Sequence, residues 1–195
     1  LDLCADCTVD LPRVPRPCPH CGLPVPFEST TVAAGADCAQ YRAAALPYAS
    51  CVAPWAYEFP VTHLVQALKY EGALANARVF GTRMVTQALR EHGDDPWRDA
   101  ALVVPMPLHP SRLVERGFNQ SHEIARVVSR SLDLQLVGPG LRRIRGTAPQ
   151  VGLSRQQRAG NLSGAFVADP TLVAGQHVVR RGEVLVVDRI RRFLH

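Results

Sequence analysis

The sequence predicts an α/β protein built on a parallel sheet, with a small cysteine-rich module ahead of it. Three stretches carry that reading. Ala101-Leu102-Val103-Val104 is an apolar, β-branched run stopped by Pro105 and Pro107; a basic loop follows, then Ile124, Val127, Val128 and Leu132 at helical spacing. That is the strand, loop and helix of a parallel unit. Val184 to Val187 is a second buried-strand pattern, ending in Asp188. Cys4 and Cys7, then Cys18 and Cys21, form two C-x2-C pairs ten residues apart, a spacing that brings four thiolates to one tetrahedral zinc ion.

A chain of 195 residues with 47% hydrophobic content suits one core of moderate size and a small appendage. The boundary falls where the cysteines end: residues 1–50 form the cysteine-rich, zinc-ribbon-like module and residues 51–195 the sheet domain. No stretch approaches the run of ~18 apolar residues that spans a bilayer, and no basic-then-apolar leader opens the chain. A cytoplasmic protein without a membrane span is expected. Charge is uneven, −3 over residues 1–100 and +8 over residues 101–195. Almost all the basic residues are arginines, which suit phosphates on a nucleotide sugar or on nucleic acid.

Taken in order, residues 1–50 are rich in proline and glycine and poor in apolar periodicity, so a metal would have to supply their folding energy. A tight Cys-x-x-Cys turn points both sulfurs the same way, and Gly22 allows the second turn a positive φ. The other reading of the same cysteines is a pair of disulfides or unligated thiols. Cys51 lies past the module and reads as a buried packing residue; His20 reads as a filler between ligands.

Trp55, Tyr57 and Phe59 alternate as a half-buried strand would, up to Pro60. Leu64, Val65 and Leu68 then mark one face of a helix that puts Lys69 near its end, where a cation is electrostatically favoured. Lys69 is the only lysine. It reads either as a phosphate contact from a small hood over the sheet edge or as a solvated helix-end charge. Phe80, Met84, Val85, Ala88 and Leu89 continue a helical pattern that Gly93-Asp94-Asp95-Pro96 breaks.

After the central strand, the prolines force the chain out of the sheet. The loop that follows carries Arg112 and Arg116, Gly117 relaxes the backbone, and Asn119 can cap the next helix. In a parallel α/β sheet this carboxyl edge of a strand is where anions are usually held. Leu134 to Val137 is a further strand, ended by Gly138-Pro139-Gly140. Residues 142–161 hold arginines with few apolar residues to anchor them. They read as a mobile loop and a short helix, with Ser154 as N-cap of a turn running through Arg158.

Three segments resemble one known family. VPMPLHPSRLVERGFNQS, with RGFNQS at Arg116 to Ser121, TAPQVGLSRQQRAGNLSGAF at Thr147 to Phe166, and FPVTHLVQALKYEG at Phe59 to Gly72 resemble, in the right order, the conserved segments of the ComF family. That family comprises phosphoribosyltransferase-like proteins linked to bacterial competence and DNA uptake, GntX-type proteins among them. The resemblance implies a type I phosphoribosyltransferase-like parallel sheet over residues 51–195. It also implies a loop at Pro105 to Gly117 that holds the pyrophosphate of phosphoribosyl diphosphate with Mg²⁺, and a lid that closes over it. It carries over Arg116, Asn119 and Gln120 for the loop, and Thr147, Gln150, Arg155, Arg158 and Asn161 for the lid. A closing lid would exclude water and deliver positive charge to departing pyrophosphate. Asn119 stands equally as a plain helix cap, and the basic lid as a solvated loop or a nucleic-acid contact.

The chain also departs from the family. Where the family has a further Cys-x-x-Cys pair, Gly35 precedes Cys38, so Cys38 looks like half a pair and the zinc pairing with Cys38 stays open. Asp188 matches the start of the phosphoribosyl diphosphate motif, but the second Asp and the Thr-Thr-Gly that follow in the family are replaced by an arginine-rich run. The domain is therefore expected to be incomplete at its carboxyl end and to show little transferase activity, with catalytic residues unknown. The alternative is a non-enzymatic competence factor that binds single-stranded DNA and works with competence machinery. The phosphoribosyl reading requires Arg116 and Asp188 to face one cleft.

Overall fold

The computed structural model describes residues 3–18, 22–25, 51–93, 100–138, 140–147, 152, 154–170, 177–181 and 184–188. Helix α1 (Ala5–Val9) opens it, capped by Cys4, whose sulfur accepts from the Cys7 amide. The chain then reaches Leu11, 3% exposed and part of the core. Residues 51–60 form bends and no strand. Tyr57 and Phe59 are 67% and 81% exposed, so the alternation expected to make a half-buried strand does not. Pro54 and Pro60 bracket it, and a strand without a ladder partner has nothing to stabilise it. Trp55 alone turns inward, its ring meeting Phe80 edge-on at 5.7 Å between centroids.

Helix α2 (Val61–Tyr70) buries Val61, Ala67 and Leu68 and carries Lys69 in its last turn. Helix α3 (Ala75–His92) ends at Gly93, whose φ of 68° stops it. The interior glycine of α3 sets the closest helix contact: a methyl group at Gly81 would lie 2.5 Å from the Val127 Cβ. Helix α5 (Gln120–Leu132), which carries Val127, packs there and buries Ile124, Ala125 and Val128 along one stripe, as its helical periodicity predicts.

Strand β1 (Ala100–Pro105) is the centre of the sheet, with Leu102, Val103 and Val104 buried. Helix α4 (Pro110–Arg116) and then α5 connect it to strand β2 (Gln135–Leu136), which runs parallel to it with Leu102 opposite Gln135 and Val103 opposite Leu136. The stretch expected to be a loop at 110–116 is helical. Pro110 at its first turn and Gly117 in the left-handed conformation just past its end are a helix start and stop. Strand β3 (Leu141–Arg143) pairs antiparallel with β4 (Phe166–Ala168) in a separate ribbon. Between them lies helix α6 (Arg155–Leu162). The Ser154 hydroxyl accepts from the Gln157 amide while Gln157 Oε1 accepts from the Ser154 amide, a reciprocal cap that fixes where α6 begins.

The fold is thus α/β, with β1 and β2 joined in parallel as expected, but the sheet is mixed. Its order is β2-β1-β6-β5, where β5 (His177–Arg181) and β6 (Val184–Asp188) form a hairpin and β6 lies antiparallel to β1. Pro105 pairs with Val184 and Ala100 with Asp188. The wholly parallel arrangement expected from the sequence does not hold, because β5 and β6 pair antiparallel with each other and so cannot both run parallel to β1.

Candidate functional site

The site grows from the carboxyl end of β1. Asn119 caps α5 by accepting from the Ser121 amide at 3.0 Å, and its side-chain amide donates to the Met106 carbonyl, also at 3.0 Å. One residue therefore ties the start of α5 to the loop leaving the strand. His109 caps α4 in the same way, its Nδ1 meeting the Ser111 hydroxyl at 2.8 Å. With both ends of the Met106–Gly117 segment fixed, α4 turns Arg112 and Arg116 toward the end of α2.

Lys69, Arg112 and Arg116 line a concave cavity of about 380 Å³, with Tyr70 and Phe118 as apolar walls and Glu71 and Glu115 as the carboxylates. Arg116 donates from Nη1 to Oε1 of Gln120, which is buried, and its guanidinium lies 5.4 Å from the centre of the Tyr70 ring. Both contacts restrain a long side chain in one orientation, so less conformational freedom remains to be lost when it meets an anion. Arg112 is held differently, by an ion pair with Glu115 at 2.9 Å whose side chains are 47% and 66% exposed. Such an exposed pair is weak and yields to a stronger anion. Three cations against two carboxylates, one of them loosely engaged, leave this wall with a surplus of positive charge.

A second cationic group adjoins it. Arg143 of β3 donates to the Thr147 hydroxyl and lies 5.6 Å from the Phe166 ring centre. Its Nε is buried and, among the described residues, has no hydrogen-bond partner. Burial, and then the like charge of Arg112, hold this guanidinium below its ordinary range. Gly146 rests against the His109 ring, where a methyl group would stand 3.5 Å from Cε1. The β3 end of the lid segment therefore touches the start of α4, and Arg143 is a functional candidate that the sequence reading passed over. Its signal was available: an arginine beside a threonine at the edge of a segment read as a lid.

The expected site residues divide as follows. Lys69 and Arg116 line one cavity and Gln120 bonds Arg116; Asn119 caps α5 and bonds the Met106 carbonyl, and Thr147 bonds Arg143, away from the cavity lining. The Asn161 carbonyl accepts from Arg145 at 3.1 Å. Arg155 and Arg158 lie on α6, and Gln150 falls outside the described residues. Asp188 is not brought to the cavity. It pairs with Ala100 at the first residue of β1, five residues and roughly 16 Å along the strand from Pro105, at the opposite end from the cations. Arg116 and Asp188 share no strand end, so the expected common cleft does not form.

Of the expected zinc ligands, Cys4 and Cys7 are exposed and Cys18 is buried; Cys21 lies outside the described residues. Cys4 and Cys7 form the tight turn expected of a knuckle, the Cys7 amide donating to the Cys4 sulfur at 3.4 Å. That bond, with the Cys7 thiol, holds the Cys4 thiol below its usual range, and the Cys4 sulfur in turn pushes Cys7 up. The donor set is right for zinc, but among the described residues no three ligating groups converge. Cys51, expected to be buried, is half-buried and stands against Gly22, where a methyl group would lie 3.2 Å from its sulfur. Among the described residues no helix is long and apolar enough to cross a membrane.

Comparison with known proteins places this geometry in a lineage. The chain is 31% identical over 181 residues to the DNA utilization protein YhgH of Salmonella typhi, covering 91% of this chain and 75% of the relative. It is 28% identical over 162 residues to DNA utilization protein YhgH of Escherichia coli strain K12, covering 83% and 68%. It is 26% identical over 167 residues to Competence protein F of Haemophilus influenzae, covering 84% and 69%. No family model matches the chain, and no solved structure matches it significantly. On these relatives the chain belongs to the ComF family, that of the DNA utilization and competence F proteins.

Proposed function

We propose that the chain binds a phosphorylated small molecule through its phosphate or pyrophosphate group in the cavity between α2 and α4, and that the sugar-transfer part of the phosphoribosyl reading, which required Asp188 in the same cleft, does not apply to this chain. The observation that carries this is the convergence of Lys69, Arg112 and Arg116 on one concave wall. Guanidinium forks match phosphate oxygens in pairs, and a cavity of this size receives one or two phosphates rather than a polynucleotide backbone. Mg²⁺ would accompany a diphosphate, and the Glu71 carboxylate on that wall would supply it an oxygen. Transfer needs the ribose held as firmly as the pyrophosphate, and the residue expected to hold it, Asp188, pairs at the far end of β1. Relatives named for DNA utilization fit a cytoplasmic role with nucleotides, since hydrolysis of DNA releases them.

Calorimetric titration with phosphoribosyl diphosphate tests the binding, and a turnover assay tests the chemistry. Saturable binding without turnover is expected. Turnover by the purified chain would refute the non-catalytic half, and absence of binding would refute the whole.

A second reading is single-stranded DNA binding within the competence machinery, favoured by the +8 charge of residues 101–195 and by the exposed Arg142 and Arg145 on and beside β3. It requires an affinity for oligonucleotides that falls steeply with salt; a flat salt dependence removes it.

For the amino-terminal module we propose one structural zinc on Cys4, Cys7, Cys18 and Cys21, supported by their spacing and by the amide-to-sulfur bond of the first turn. Elemental analysis of the purified chain should give about one zinc per molecule, lost on Cys7→Ser and retained on Cys51→Ser. Equal zinc content in wild type and Cys7→Ser would contradict this ligand set.

A further inference from the structure

A separate group of arginines meets where the amino-terminal segment packs on α3, and none of them lines the cavity of Lys69, Arg112 and Arg116. Arg83 and Arg90 stand seven residues apart on α3, about two turns along one face, and Arg13 follows α1 in the chain. All three line a recess of about 30 Å³, together with Thr8 of α1 and with Trp55. The recess is fixed from both sides. Leu11 is buried in the core, and the Ala56 amide donates to the Pro12 carbonyl at 2.8 Å, so the residue before Arg13 is tied to the bends that carry Trp55. The opposite wall is α3, packed on α5 through Gly81 and Val127. We infer that this recess binds a single tetrahedral dianion, free phosphate or the terminal phosphoryl of a monoester, which fastens the amino-terminal segment to α3. It is independent of the cavity between α2 and α4.

Charge sets the sign of the ligand. Among the described residues no carboxylate lines the recess, and none of Arg13, Arg83 and Arg90 is held in an ion pair. Glu91, the carboxylate beside Arg90 in the chain, accepts from Gln87 Nε2 at 2.7 Å. Like charges gathered on one face repel, and an anion that receives all three replaces the repulsion with charge-assisted hydrogen bonds. Three guanidinium groups favour two negative charges over one, and their planar forks match the oxygens of a phosphoryl group. The Thr86 hydroxyl on the same wall already donates to the Thr82 carbonyl at 2.9 Å, so Thr8 is the threonine that can donate to the anion. Size sets the rest. The recess exceeds the ~10–15 Å³ that one water needs but falls far below the ~300–1,000 Å³ of pockets that enclose organic ligands. A phosphoryl group fits and a nucleoside does not.

The chain has two tryptophans, so Trp97→Phe leaves Trp55 as the sole reporter, and Arg116→Gln in the same protein disables the other cationic wall. This background is titrated with inorganic phosphate at about pH 8, where a phosphate carries close to two charges, with chloride holding ionic strength constant. A saturable change in Trp55 emission is expected, with sulfate competing and the unfolding midpoint rising as phosphate occupies the folded chain. Adding Arg83→Gln, or separately Arg90→Gln, should weaken phosphate by about tenfold or more. Arg130→Gln, which removes an exposed arginine from the end of α5, should change it by less than about twofold. Unfolding midpoints without phosphate show that each variant is folded. The absence of a saturable response, or an equal loss in Arg83→Gln and Arg130→Gln, would overturn the site. Displacement of phosphate by an oligothymidylate without terminal phosphates would overturn the choice of ligand, since that probe offers only singly charged diesters. Either result leaves the cavity of Lys69, Arg112 and Arg116 as it stands.

Discussion

Arg116, in the last turn of α4, donates from Nη1 to Oε1 of Gln120, in the first turn of α5. The bond crosses the junction between the two helices, so the cation facing the cavity is held by a buried amide that belongs to the core side. Site and core are coupled at this point. Gly117 makes the crossing possible, since its φ of 79° lets the chain reverse between the helices with a backbone that other residues adopt at a cost.

Asn119 is expected to act through structure. Asn119→Ala removes both the cap on α5 and the tie to the Met106 carbonyl, and should cost about 1–2 kcal/mol of stability, read as a lower urea midpoint. Pyrophosphate affinity in the folded variant should fall only through displacement of α4, by a few-fold. A loss of binding with no loss of stability would mean that Asn119 touches the ligand.

Gly81 is expected to tolerate nothing larger. In an open helix, Gly→Ala gains about 1 kcal/mol, but a methyl group here would stand 2.5 Å from the Val127 Cβ, and overpacking of this kind costs about 1–3 kcal/mol. Gly81→Ala should therefore destabilise the fold, with an earlier thermal midpoint. A stabilised variant would show that α3 and α5 are not packed this closely.

Glu115 competes with the ligand for Arg112. Glu115→Gln removes the 2.9 Å pair and should change stability by less than about 1 kcal/mol, as exposed pairs do. Pyrophosphate should bind severalfold more tightly at low salt, with the gain shrinking as ionic strength rises. Unchanged affinity would show that Glu115 does not restrain the cations.

Much of this was legible in the residues. The β-branched run stopped by Pro105, the stripe Ile124, Val128 and Leu132, the strand near Gln135 and the stop at Gly93 are local signals, and local structure obeys them. Helix α4 was legible too, from Pro110 and Gly117, but its arginines read more readily as loop. Strand β3 carries Arg142 and Arg143 in place of an apolar pattern, and β4, Phe166–Ala168, is too short for a period to mark it. The direction of β6 has no local signal, because a buried apolar run reads the same whether its neighbour is parallel or antiparallel. That is why Asp188 was expected at the cationic end and stands at the other. Trp55, Tyr57 and Phe59 show the converse error, an alternating pattern without a partner strand.

The central claim is that the cations at the carboxyl end of β1 receive phosphate and that Asp188 takes no part. Calorimetric titration of pyrophosphate into wild type, Arg116→Gln and Asp188→Asn, with unfolding midpoints taken alongside, tests it most directly. Arg116→Gln should weaken binding at least tenfold, about 1.4 kcal/mol or more, with Asp188→Asn indistinguishable from wild type. Undiminished binding by folded Arg116→Gln, or a comparable loss in Asp188→Asn, would contradict it.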